Sequence, residues 1–89
     1  MKTAFEIVAV ALEQIINGES LPSFRSVEFT DLLDATRSIA ASRPGGGYQQ
    51  AEYAQIGNRA LQLLLLRLMS SMDAERCLAI MRDNEKPLC

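Results

Sequence analysis

The sequence predicts an all-α fold, a small bundle of three to four helices over about residues 4–17, 27–42, 49–70 and 72–83, completed by oligomerisation. Three observations carry this. Apolar residues recur at helical spacing along most of the chain, start and stop residues punctuate that spacing, and no strand-like alternation of useful length interrupts it. Eighty-nine residues suit one helical domain over 1–89, and a chain of this length gains apolar burial by self-association.

The first helix opens on a capping box, Thr3 with Glu6, in which the hydroxyl accepts from a freed backbone N–H. Phe5, Val8, Ala9, Leu12, Ile15 and Ile16 share the face turned to the core, while Glu6, Glu13 and Asn17 lie opposite. Ile7 and Val10 are surplus to that face and enlarge a contact patch. Asn17 and Gly18 end the helix, since both tolerate the left-handed conformation common just past a helix C-terminus. The connector from Gly18 to Arg25 has loop composition, with Leu21 and Phe24 as anchors folding back onto the core.

Ser26 is placed to cap the second helix, with Glu28 and Asp31 in a first turn that favours negative charge. Phe29, Leu32, Leu33, Thr36, Ile39 and Ala40 are in phase on its inner face; Asp34, Arg37 and Ser38 point outward. Arg43 and Pro44 stop it, because the residue before a proline is pushed out of the helical region. Gly45, Gly46 and Gly47 form a hinge before the third helix.

The stretch from Tyr53 to Met72 is the most apolar in the chain. Tyr53, Gly57, Ala60, Leu64 and Leu68 make one stripe, flanked by Leu61, Leu65 and Met72 on one side and by Ile56 and Leu63 on the other. Leu66 and Met69 fall on the polar side. Four consecutive leucines, Leu63 to Leu66, point nearly all round, and such a helix is normally buried on more than one side. A subunit or partner interface is therefore expected, with Ile7, Val10, Ile56, Leu63, Leu66 and Met69 as its candidate residues. The small side chains of Gly57 and Ala60 predict close helix packing at the expense of some helix propensity. The run is too short to cross a bilayer, which takes roughly 20 apolar residues, and Gln62 and Arg67 interrupt it. Ser70 and Ser71 then cap a last helix, with Asp73 and Glu75 in its first turn, an apolar stripe of Ala74, Cys77, Leu78 and Met81, and fraying from Asn84 onward.

Composition narrows function. A net charge of −2 gives no general attraction to nucleic-acid phosphates or anionic membranes. Its distribution is uneven, with acids dominating up to Ala35 and Arg37, Arg43, Arg59 and Arg67 facing only Glu52 between Thr36 and Ser70, so opposite faces can meet within or between chains. The start resembles a signal peptide only superficially, since Glu6 and Glu13 break its apolar run; a cytoplasmic location is expected. Cys77 and Cys89 read as free thiols, not as a disulfide framework or a zinc site, and no cofactor is expected.

The absence of histidine removes the usual general base and nucleophile activator, and the carboxylate pairs Glu6/Glu13 and Asp31/Asp34 have ordinary solvent-face spacing, so no catalysis is expected. The glycine turn with Arg43, joined by Arg25 and Arg37, is a candidate anion contact, although no P-loop pattern is present. A basic recognition helix is missing, which argues against direct DNA binding.

In general build, with its capped start, helical body, leucine-rich helical hairpin (Leu61 to Met72, then Asp73 to Met81) and free thiols, the chain resembles the small accessory proteins of temperate bacteriophages. Antirepressors belong to that group. The resemblance implies a non-enzymatic regulator that binds a partner protein, such as a DNA-binding transcriptional repressor. The leading expectation is thus a homo-oligomer that occludes a protein partner, and the alternative is a protein that binds or sequesters a small phosphorylated ligand.

Overall fold

The computed structural model describes residues 3–19, 26–45 and 47–85, and these form four α-helices with no strand. They are α1 (Ala4–Ile16), α2 (Ser26–Ala40), α3 (Gln50–Leu65) and α4 (Ser71–Glu85). The all-α class and the order of the helices match the apolar spacing. The expected anchors Leu21 and Phe24, like Arg25, Gly46 and Cys89, lie outside the described residues.

α1 is the centre of the bundle. Thr3 Oγ1 accepts from the Glu6 amide at 3.2 Å and starts the helix as the capping box requires. At the other end the Gly18 N–H donates to Ile15 O and the Glu19 N–H to Gln14 O, the paired bonds of a Schellman turn, with Gly18 at φ +81° where a side chain would be strained. Between these ends Val8, Ala11, Leu12 and Ile15 are buried, packing against α2 on one side and α4 on the other. The buried face is rotated from the expected one. Ala11 is inside, while Phe5, Ala9 and Ile16 lie partly buried at its margin, because a small residue lets a flanking helix come close.

α2 contributes Phe29, Leu32, Ala35, Thr36 and Ala40 to the interior. The one buried polar side chain among the described residues, Thr36, is satisfied within its own helix, its hydroxyl donating to Leu32 O at 2.7 Å. α2 then packs along α3, and the approach is closest at Gly57: a methyl built there would overlap the Ala40 Cβ and lie 2.9 Å from its Cα. The close packing expected from Gly57 is therefore realised against Ala40.

Three helix ends differ from expectation by two residues or more, and α2 stops at Ala40, short of residue 42. α4 runs to Glu85, so Asn84 is helical and its side-chain amide donates to Ile80 O at 2.8 Å. α3 stops at Leu65, short of residue 70, with consequences developed below. α4 itself begins at a full reciprocal cap: Ser70 Oγ accepts from the Asp73 amide at 3.2 Å, and the Asp73 carboxylate accepts from the Ser70 hydroxyl at 2.8 Å and amide at 3.2 Å. Ala74, Leu78 and Met81 face the core, and an exposed Arg82–Glu13 pair at 2.7 Å ties α4 to α1. No described helix is long and apolar enough to cross a membrane.

The Gly57 contact yields a test by urea unfolding. Gly57→Ala gains about 1 kcal/mol of helix propensity but forces an overlap that costs about 1–3 kcal/mol, so a net loss of about 1 kcal/mol is expected. Ala40→Gly removes the Cβ overlap and leaves the 2.9 Å approach to the Cα, so it should cost less in the Gly57→Ala chain than in the parent; a Gly57→Ala chain as stable as the parent would contradict the contact.

Candidate functional site

The site is set by how α3 ends. The Arg67 N–H donates to Leu64 O and the Leu68 N–H to Leu63 O, again the Schellman pattern, with Arg67 in the left-handed position at φ 56°. Glycine is usual there, and a side chain costs about 1–2 kcal/mol. Part of that cost is offset by the Arg67 guanidinium, whose central carbon lies 4.4 Å from the centroid of the Phe29 ring.

The early stop exchanges residues between inside and outside. A helix continued to residue 70 would point Leu68 inward and Met69 outward; instead Met69 is 7% exposed in the core, and Leu68 is 66% exposed. The assignment of Met69 to an outward interface is corrected accordingly. Leu65 (53%), Leu66 (56%) and Met72 (78%) join Leu68 outside. Four large apolar side chains thus stand in solvent within eight residues, at the corner where α3 turns into α4. Scattered exposed apolar residues are ordinary, whereas these four are confined to one turn.

Beside the corner, α3 and α4 are neighbours in sequence but the least packed pair of adjoining helices. They leave a groove of ≈ 350 Å³, floored by Ile56, Ala60, Leu63 and Cys77 and bordered by Arg59, Arg76 and Asp73. Behind it Ile56, Ala60 and Cys77 also line an almost wholly apolar void of ≈ 30 Å³ that reaches Leu12 and Leu64. Burial, with the nearby Asp73 carboxylate as a lesser cause, pushes the Cys77 thiol above its ordinary range, so the groove carries a protonated, weakly nucleophilic cysteine at neutral pH.

The candidate interface residues separate into three places. Ile56 and Leu63 come together on the groove, Leu66 stands on the corner, and Ile7 and Val10 lie on α1, where Ile7 packs partly into the core and Val10 is 43% exposed. Leu68 and Met72 were missed because a wheel drawn through residue 72 turns them inward, and Leu65, within α3, because the wheel sets it on the flank of the inward stripe. The Ser70–Asp73 cap was the available signal, since a new helix cannot start at Ser71 unless the previous one has ended.

The candidate anion residues are not gathered at these surfaces. Arg37 is exposed and pairs with Asp34 of its own helix at 3.3 Å, Arg43 is exposed after α2, and neither lines the groove or the void behind it. Among the described residues no three His, Cys, Asp or Glu side chains cluster as metal ligands do. No protein-family model, curated protein or solved structure matches this chain.

Asp73 supplies a pH test of the corner. Hydrogen bonds from Ser70, helped by Arg59 and Arg76, hold its carboxyl below the ordinary 3.8. A depressed folded-state pKa means that the stabilisation is complete above the unfolded value and disappears as pH falls through the folded one. The stability gap between the parent and Asp73→Asn, read from urea unfolding, should therefore narrow as pH drops below 3.8. A gap that is constant through that range would show that the ionised cap contributes nothing.

Proposed function

We propose that this protein is a non-enzymatic, self-associating protein-binding module, acting in the cytoplasm by covering a surface of its partner. The observation that carries the reading is the corner of Leu65, Leu66, Leu68 and Met72, exposed together where α3 turns into α4. Side chains of this size each gain about 1.5–3 kcal/mol when moved from water to a full apolar contact. A two-fold pairing of corners satisfies apolar surface with apolar surface and needs no second kind of site.

The same corner and the groove beside it give the module a means of regulation by occlusion, in the manner of the antirepressors it resembles, with a DNA-binding repressor as the kind of target. Binding of a phosphorylated ligand has less support, because Arg37 is already occupied by Asp34 and Arg43 stands apart from the groove.

Sedimentation velocity across micromolar concentrations tests the first step. The parent chain should show a mass rising toward an oligomer, and Leu66→Glu should sediment as a single chain. At a concentration low enough for the parent also to sediment as a single chain, the substitution at exposed Leu66 should change unfolding free energy by no more than about 0.5 kcal/mol. A parent that stays a single chain throughout, or a Leu66→Glu variant of unchanged mass, removes the corner as an assembly surface.

A further inference from the structure

We propose that the α3–α4 groove receives an amphipathic helix from another protein, apolar where it enters and acidic along its borders. This builds on the protein-binding reading above but uses a different surface from the self-association corner. The floor has the right chemistry. Ile56 and Leu63 are seven residues apart, about 10.5 Å along the helix axis at 1.5 Å per residue, which is the separation of i and i+7 anchors on an incoming helix. Between them Ala60 leaves depth, and the void behind Ile56 and Cys77 allows one anchoring side chain to sink further when those residues shift.

The rim decides the charge of the occupant. Arg59 on α3 and Arg76 on α4 stand over the floor from opposite walls, and neither is in an ion pair with a described side chain. Asp73 stands beside them with its hydrogen bonds committed to the Ser70 amide and hydroxyl, and its charge offsets one of the two arginines, so the rim keeps one net positive charge. An acidic chain of net charge −2 therefore presents a locally cationic, apolar-floored groove, and carboxylates flanking an apolar stripe complement it.

A second copy fits less well. Pairing groove to groove sets Arg59 and Arg76 against the same two arginines. Among the described residues, the outward face of α1 offers Val10 as its single largely exposed apolar side chain, and that of α2 offers Asp31, Asp34, Arg37 and Ser38, so neither has the anchors to fill the groove.

The test uses a fluorescein-labelled helical peptide of about fourteen residues, roughly four turns, with Leu at i, i+3 and i+7 and Glu beside them, and a twin carrying Lys for Glu. Anisotropy should show saturable binding of the Glu peptide to the parent chain, at least about tenfold weaker binding to Arg59→Glu/Arg76→Glu, and a preference of that variant for the Lys peptide. The Glu peptide should also slow alkylation of Cys77 in a chain with Cys89→Ser, placing it in the groove. Leu66→Glu should bind the Glu peptide as the parent does, so failure of the corner and failure of the groove are read separately. No saturable binding, equal binding of both peptides, or dissolution of the parent oligomer by the peptide would overturn the proposal, the last by assigning the groove to a second copy.

Discussion

The left-handed turn at Arg67 is the constraint on which the rest of this molecule depends. By ending α3 at Leu65 it reverses the chain early enough for α4 to lie along α1, where Ala74, Leu78 and Met81 close the core. The strain of a non-glycine residue there, about 1–2 kcal/mol, is outweighed by burial of Met69 alone, worth about 1.5–3 kcal/mol, before the two backbone bonds and the Phe29 contact are counted. The turn also determines what is left outside. Leu68 and Met72 are exposed because the helix that would have turned them inward stops first, and Leu65 and Leu66 stand in solvent beside them.

A second constraint acts on the other side of α3. Gly57 lets that helix press against Ala40, drawing α3 to α2, while α4 is held to α1 by its apolar face and by Arg82 with Glu13. Each helix of the pair is thus committed to a different neighbour. The groove between them follows from those two commitments, with Ile56, Leu63 and Cys77 left on its floor and the arginines on its rim.

Much of the fold was legible from local chemistry. Thr3, Gly18, Pro44 and the Ser70–Asp73 pair announce helix ends in side chains whose hydrogen bonding or backbone geometry is specific, and the apolar period located most of the core. What sequence periodicity could not show is a stop without its usual residue. Arg67 carries no glycine-like signature, so the period runs on through Leu68, and Met69 and Leu68 exchange places in the reading. Small core residues were the other blind spot: Ala11 and Ala35 are buried, a fact of tertiary packing that an alanine does not advertise. The site was half legible, since the surplus of leucines announced an exposed apolar surface but the partition between corner and groove depends on where α3 ends.

The most direct test is solvent access at the methionine methyls, read by NMR with a soluble paramagnetic probe on a chain carrying Leu66→Glu, a charge that keeps the corner open to solvent. The account predicts a Met69 methyl protected like that of Met81 and a Met72 methyl strongly broadened. Broadening of Met69 with protection of Met72 would mean that α3 continues past Leu65, and the corner, the groove and the functions drawn from them would go with it.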